Sequence, residues 1–373
     1  MKTKRLSKSL VDYIDNHADE FWLQYRWKDG KPVCPYCNNL HKQYHCSDGR
    51  YKCGHCNKRY SSVVGTAFQN TKLTMKTIVK GIFFLFVTRS ASVVMLSSYL
   101  NVNNDTAYFF LKRMQMATKQ DFKLSGKIAM DEVYMGGKWR NKHYRKKRAI
   151  LKENAIIPQT QDRFNRKEAA LGMDVCKRPV YGGNDKQHIF LEQMPSHFDS
   201  NDLKQSFDRH SEDVTICISD DSKLYNDWGM PLEVNSHSKK QYQTKNGLSS
   251  NSIEGTFSHL RTFMRAHIHC KEKYLQLYLN WFVFKWNHRK QSYQEMFGAL
   301  VDCLAKGTCR YRDVLEYDAL KKYREREAQI KQNIQKQLQV LKEALQMEVV
   351  KSVEWNGRYY TIENIDNLVP TAG

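Results

Sequence analysis

Residues 126–137 read GKIAMDEVYMGG, an apolar run that meets two acidic residues, Asp131 and Glu132, and stops at paired glycines. The stretch predicts a strand with carboxylates at its tip. Further strand-like runs follow at 169–175, 188–193 and 214–219, with a helical stretch at 201–210 before the last. That last run leads straight into Asp220 and Asp221. Beyond it, residues 251–265 carry Ile253, Phe257, Leu260 and Met264 at helical spacing, and 273–289 read as a second helix rich in Trp, Tyr and Phe. Both should pack on the sheet.

The order strand, strand, strand, helix, strand, with an acid ending the first and fourth strands, predicts an RNase H-like α/β core over 125–292. In such a sheet Asp131 and Asp220 stand side by side. Glu254 falls near the start of the next helix, with Arg261 two turns further along the same face, placed to reach DNA. Three carboxylates from separate elements suit two Mg2+ or Mn2+ ions, the arrangement that serves phosphodiester cleavage and transfer. Taken singly, an Asp after a strand is a turn or cap residue and Glu254 an ordinary first-turn acid. Their joint order carries the reading.

Upstream, Cys34-Pro35-Tyr36-Cys37 and Cys53-Gly54-His55-Cys56 have the spacing of a zinc ribbon, in which two knuckles present four thiolates to one structural Zn2+. A redox CxxC or two unrelated thiol pairs are the alternatives, and Cys46 and His55 are further possible ligands. Residues 71–116 turn helical, with a break at Asn101–Asn104 that resembles a helix-turn-helix capped by Asn104 or Asp105. Its second helix is expected to expose Lys112 and Arg113 to DNA, while Val93, Leu96, Leu100, Ala107, Phe110 and Leu111 pack inward. Between 138 and 152, eight Lys and Arg with no acid among them, including Lys138, Arg140 and Lys142, form either a solvated loop or a phosphate-gripping arm.

These segments give a multidomain α/β chain. It comprises a helical preface (1–30), the zinc ribbon (31–68), the helix-turn-helix-like region (70–122), the catalytic core (125–292) and a helical C-terminal extension (293–373). The preface has Leu10, Tyr13, Ile14, Phe21 and Trp22 on one face. The extension reads as one long helix from Asp313 to Met347, with Ile330, Ile334, Leu338, Leu341 and Leu345 as its apolar stripe.

The 373 residues carry 60 Lys and Arg against 39 Asp and Glu, a net charge of +21 that attracts polyanions, nucleic acid first among them. The longest apolar run, Ile82 to Val87, falls far short of the roughly 18 residues a membrane span needs. A start too polar for a signal peptide points to a cytoplasmic, nucleoid-associated protein with no membrane partner. Ten Cys in such a compartment should be reduced; Cys176 and Cys217 read as buried small residues in strands.

Four blocks resemble the zinc-ribbon-bearing DDE insertion-sequence transposases, the ISXO-two-like group, over most of residues 20–292. They are the two Cys pairs with Gly65-Thr66-Ala67-Phe68, DEVYMGGKWRNKH at 131–143, SDDSKLY at 219–225 and NSIEGTFSHLRTFMR at 251–265. The resemblance implies a catalytic triad of Asp131, Asp220 and Glu254, the middle acid chosen over Asp221 because it stands five residues before Tyr225. It makes Arg261 the family's basic residue and Asn251 a secondary candidate for the acid's place. Lys138, Arg140, Lys142 and His143 fall in the second block as DNA contacts.

Two departures concern packing: Thr256-Phe257 replaces a bulkier aromatic pair, and Trp281 stands where an acid commonly precedes Phe282. The implied activity is transposition. Terminal inverted repeats are bound, the ends are cut, and the freed 3′ hydroxyls attack target DNA, with a homodimer expected on two ends. Rival readings are a non-catalytic zinc-ribbon DNA-binding regulator and an RNase H-superfamily nuclease.

Overall fold

The computed structural model describes residues 8–27, 29–88, 90–136, 145, 178–196, 198–220, 223–225, 228–235, 249–267, 270–346, 353–355 and 358–360. Two compact units divide the chain, Met1–Tyr317 and Asp318–Gly373.

In the first unit the helix α1 (Lys8–Arg26) precedes a small sheet of β1 (Gln43–His45), β2 (Tyr51–Cys53) and β3 (Arg59–Tyr60). Three helices follow, α2 (Met75–Val87), α3 (Val93–Leu100) and α4 (Asn104–Ala117). The main sheet comprises β4 (Leu124–Met135), β5 (Arg178–Asn184), β6 (Ile189–Gln193), β7 (Ser211–Asp220) and β8 (Leu232–Asn235), in the order β6-β5-β4-β7-β8. Strands β4, β7 and β8 run parallel, and β5 is antiparallel to β4 and β6. The helices are α5 (Ser200–His210), α6 (Asn251–Met264), α7 (Leu275–Asn287), α8 (Tyr293–Lys306) and α9 (Tyr311–Leu315).

Period-2 alternation in β4 divides its side chains between two cores. Ile128 and Met130 join Leu203 and Phe207 of α5 on one face. Ala129, Val133 and Met135 join Ile253, Phe257 and Leu260 of α6 on the other. At the edge of the sheet, α7 satisfies the outward backbone of β6 with carboxamides. Asn287 bonds both the N–H and the C=O of Ile189, and Gln276 bonds Leu191 O and Gln193 N. An edge so covered cannot pair with another chain.

The strand antiparallel to β4 is Arg178–Asn184, a stretch that was not foreseen; the run expected at 169–175 lies outside the described residues. Pro179, Gly182 and Gly183 break the usual strand signature. Gly182 is required by packing, since a Cβ there would stand 2.6 Å from Leu191 Cδ2 and 3.3 Å from Phe257 Cε1. The four-residue β8, LEVN, is too short to show a strand's alternation in the sequence.

The ribbon, the helices and the sheet share one apolar cluster, running from Trp22 through Phe68, Ile82 and Phe110 to Val133, Phe257, Phe284 and Leu304. The helix α8 returns to the N-terminal helices, where Phe297 meets Phe21 and Phe83 at ring separations of 5.6 and 4.3 Å. Arg26 donates to Val64 O and Ala305 O at 2.9 and 3.0 Å, joining the same parts.

In the turn between α3 and α4, Asn101 takes the left-handed conformation (φ 52°) and Asn103 caps α4 by accepting from Thr106 N at 2.7 Å. The cap is thus Asn103 and not Asn104 or Asp105, because only Asn103 keeps the extended backbone a cap needs. The expected exposure of Lys112 and Arg113 is overturned. The second half of α4 is wrapped by α7, α8 and α9, and both side chains are buried. Lys112 Nζ donates to Gln115 Oε1 at 3.0 Å and lies 3.7 Å from the Tyr278 ring centre, while Arg113 donates to Gln69 O.

The second unit holds a helix, α10 (Lys321–Gln346), and a hairpin of β9 (Val353–Trp355) and β10 (Arg358–Tyr360). The helix bears out the expected long stretch from residue 321 onward, and residues 311–315 form a separate turn.

Burial pulls Lys112 down to about 7, and Lys285, which donates to Leu85 O and Thr88 O at the end of α2, down to about 7 as well. Between that value and the ordinary 10.5, the unfolded chain holds protons that the folded chain sheds. Stability is therefore expected to rise with pH across this window and to be insensitive to these groups below it. Lys112→Met should keep the protein at least as stable at pH 7 and remove about half of the rise. Urea unfolding across the window reads the slope, and an unchanged slope refutes the assignment.

Candidate active site and zinc centre

Asp131 lies between Ala129 and Val133 on β4, on the face that α6 covers, and its Oδ1 accepts from the N–H of Glu132 at 2.7 Å. Glu132 falls on the opposite face. There its Oε1 accepts from the buried Tyr225 hydroxyl at 2.6 Å. The neighbouring acids thus have separate duties: the first opens toward α6, and the second anchors the turn after β7.

Asp220 is the last residue of β7, and its Cα pairs with that of Asn235. The paired residues Ala129 and Ile218 stand two positions before Asp131 and Asp220 respectively. Continuing that register sets Asp131 and Asp220 at equivalent positions of adjacent parallel strands. Two register shifts around Gly126 (φ +70°) create this alignment.

Glu254 sits in the first turn of α6, half-buried, with its Oε1 accepting from Ser250 Oγ at 2.8 Å. The helix start is fixed to the sheet by Asn184, a buried residue of β5 that pairs with Ala129. Its Nδ2 donates to Ser252 O at 3.0 Å and to Thr256 Oγ1 at 2.9 Å, on either side of Glu254 in sequence. Phe257, one residue on, lies over Gly182, which pairs with Asp131. Thr256-Phe257 is therefore suited to this sheet: a hydroxyl for Asn184 and a ring for the gap above glycine. Trp281 stacks on Phe284 with an interplanar angle of 7°.

Arg261 and Asn251 are exposed on α6. Lys138, Arg140, Lys142, His143 and Asp221 lie outside the described residues. Asn184 and the Glu132–Tyr225 pair were missed in the sequence, although the selection of Asp220 already used the Tyr225 register.

The four ribbon sulfurs of Cys34, Cys37, Cys53 and Cys56 lie within 4.8 Å of one another. The Sγ–Sγ distances are 3.6 Å for Cys34 and Cys56 and 3.7 Å for Cys37 and Cys53. Tetrahedral Zn–S bonds of about 2.3 Å require sulfurs roughly 3.8 Å apart, so the set fits zinc. The knuckles repeat one another. Asn38 and Asn57 follow the second Cys of each pair in the left-handed conformation (φ 54° and 57°), and their N–H groups donate to Cys34 O and Cys53 O at 2.9 Å.

The Cys56 N–H, followed by that of His55, brings Cys53 down to about 6. The Asn39 N–H lowers Cys37, but burial and the three neighbouring sulfurs outweigh it and push that thiol up to about 12. Gln43 stands behind the site, its Nε2 3.7 Å from Cys53 Sγ and its Oε1 accepting from Tyr60. Cys46 and His55 contribute no ligand atom to the cluster.

Two family models match these parts of the chain: the transposase zinc-ribbon domain over residues 14–59 and the ISXO2-like transposase domain over 123–287. The second match begins at the start of β4 and ends with α7, so it contains all three acids. With over half its length matched by this pair of domains, the chain belongs to the zinc-ribbon-bearing ISXO2-like DDE transposases. No curated protein and no solved structure matches it. Among the described residues, no helix is long and apolar enough to cross a membrane.

Cys34→Ser should lower the bound zinc from ~1 equivalent to background and open the ribbon to proteolysis. Elemental analysis with limited proteolysis checks both, and undiminished zinc refutes it. Tyr225→Phe should cost about 1–3 kcal/mol, because Glu132 loses a buried donor. Denaturant unfolding measures that cost, and a loss well below this range would reject the anchoring role.

Proposed function

We propose that the protein is an insertion-sequence transposase that binds the terminal inverted repeats of its element, cleaves the ends and joins them to target DNA. The sheet order β6-β5-β4-β7-β8, with its second strand antiparallel to its neighbours, supports an RNase H-like core. One observation carries the assignment. Strand β4 pairs with β7 up to Ala129 and Ile218, a register that, continued by two residues, aligns Asp131 with Asp220, and Asn184 fixes the first turn of α6, with Glu254 in it, to the same sheet face.

Carboxylates are hard oxygen donors suited to Mg2+ or Mn2+. Asp131, Asp220 and Glu254 would hold such ions, whose chemistry when bound would be to activate the attacking oxygen and to stabilise the leaving one. The protein's own part is positional. Asp131 and Asp220 are held by strand register, and Glu254 by the Asn184 bonds, so the donors need little reorganisation when substrate arrives.

The exposed Arg261 lies along α6 from Glu254 and suits a phosphate of the bound strand. With Lys112 and Arg113 buried, end recognition falls to the zinc ribbon, to the exposed start of α4 and to the basic segment at 138–152. Joining two ends to one target calls for two copies of the chain on DNA.

Asp131→Asn should reduce cleavage and joining of end-bearing DNA to background while binding to the ends remains within about threefold of wild type, since a metal donor is lost and the DNA-reading surface is kept. Strand-transfer and gel-shift assays on the same preparation check this. Retained joining would reject the triad.

A further inference from the structure

One register step beyond Asp220 across the sheet stands Asn235, the last residue of β8. Its exposure is 0%, and neither Nδ2 nor Oδ1 has a hydrogen-bond partner among the described residues. Of the buried carboxamides in and beside this sheet, Gln193 uses its Oε1 and leaves Nε2 idle, whereas Asn235 leaves both ends idle among the described residues. Asn184 holds α6, and Asn287 covers both backbone groups of Ile189. A buried amide with both ends idle costs stability, and an apolar residue would serve a plain core position better.

Strand parity fixes the face concerned. Leu232 pairs with Cys217, and both belong to the core on the α5 face. Asn235, three positions further, falls on the opposite face, that of Ala129, Ile218 and Asp131. Strands β7 and β8 therefore end at Asp220 and Asn235, and continuing the Ala129–Ile218 register places Asp131, within β4, at the same level.

We infer that Asn235 is a positioning residue of the divalent-ion site, its carboxamide satisfied by the waters of a bound ion and by the carboxylate at the adjacent register position. The chemistry fits: the amide oxygen accepts from ion-bound water, and the NH2 group donates to a carboxylate, orienting it. The inference rests on reading Asp131, Asp220 and Glu254 as the ion site.

The test uses the full chain with its zinc bound. It measures Mn2+ affinity by the paramagnetic resonance of free Mn2+, and Tm with and without Mn2+. Asn235→Leu should weaken Mn2+ binding about 10- to 100-fold, the usual effect of losing an outer partner, and leave the Mn2+-free Tm unchanged or raised. Unchanged Mn2+ affinity overturns the inference.

Should that variant fail to fold, Asn235→Asp decides. An unpaired buried carboxylate should lower the Mn2+-free Tm, and Mn2+ should raise Tm by more than in wild type; a loss that Mn2+ does not restore overturns the inference. Asp131→Asn separates the two levels. Mn2+ affinity retained in that variant rejects the ion site itself, whereas affinity lost there but kept in Asn235→Leu rejects only the role of Asn235.

Discussion

The bulge at Gly126 determines which residue of β7 stands beside Asp131. Leu124 pairs with Ser211, yet Ala129 pairs with Ile218, so two residues of β7 are absorbed over the first turns of pairing. Without them, Asp131 would align with Ile218. Because two residues are absorbed, an even number, every side chain keeps its face and both cores survive. Glycine suits the position because its backbone sits at φ +70°, where a Cβ is disfavoured.

That register has consequences on both faces. Toward α5, it leaves Glu132 under Tyr225, so the chain leaving β7 is tied down five residues after Asp220. Toward α6, the separate antiparallel pairing of β4 with β5 sets Asp131 opposite Gly182, whose missing side chain admits Phe257. The helix then approaches closely enough for Asn184 to reach Ser252 and Thr256. An apolar cluster that includes Ala129, Val133, Ile253 and Phe257 thus borders Asp131 and Glu254, both of which stay partly exposed.

Features with short-range periodicity were legible in the sequence. The thiol pairs, α5, α6 and α7 announced themselves through spacing, as did the start of β4, although that strand runs on to Met135, so that Asp131 and Glu132 lie within it and not at its tip. Arg178–Asn184 did not, because its proline and glycines serve close packing at the expense of strand propensity. Lys112 and Arg113 resembled an exposed basic face because local sequence does not reveal that α7, α8 and α9 later close over α4. Asn184 and Asn235 lay hidden for a related reason: a carboxamide acquires meaning only from partners that tertiary structure supplies or withholds.

The burial of α4 bears on how binding and chemistry could be linked. The aromatic neighbours of its Lys112, Tyr274 and Tyr278, come from the start of α7, the helix whose other contacts cover β6. Lys285, further along α7, closes the end of α2. A single helix is thus packed against the edge of the main sheet and against two helices of the N-terminal region. Buried residues of α2, α4, α7 and the sheet belong to one apolar cluster, whereas the ribbon's strands pack around their own, with Trp27, Cys34, Cys53 and Tyr60. On the proposed function, DNA bound by the N-terminal elements is presented to Asp131 and Glu254 across this shared core, and joining two ends calls for a second copy of the chain.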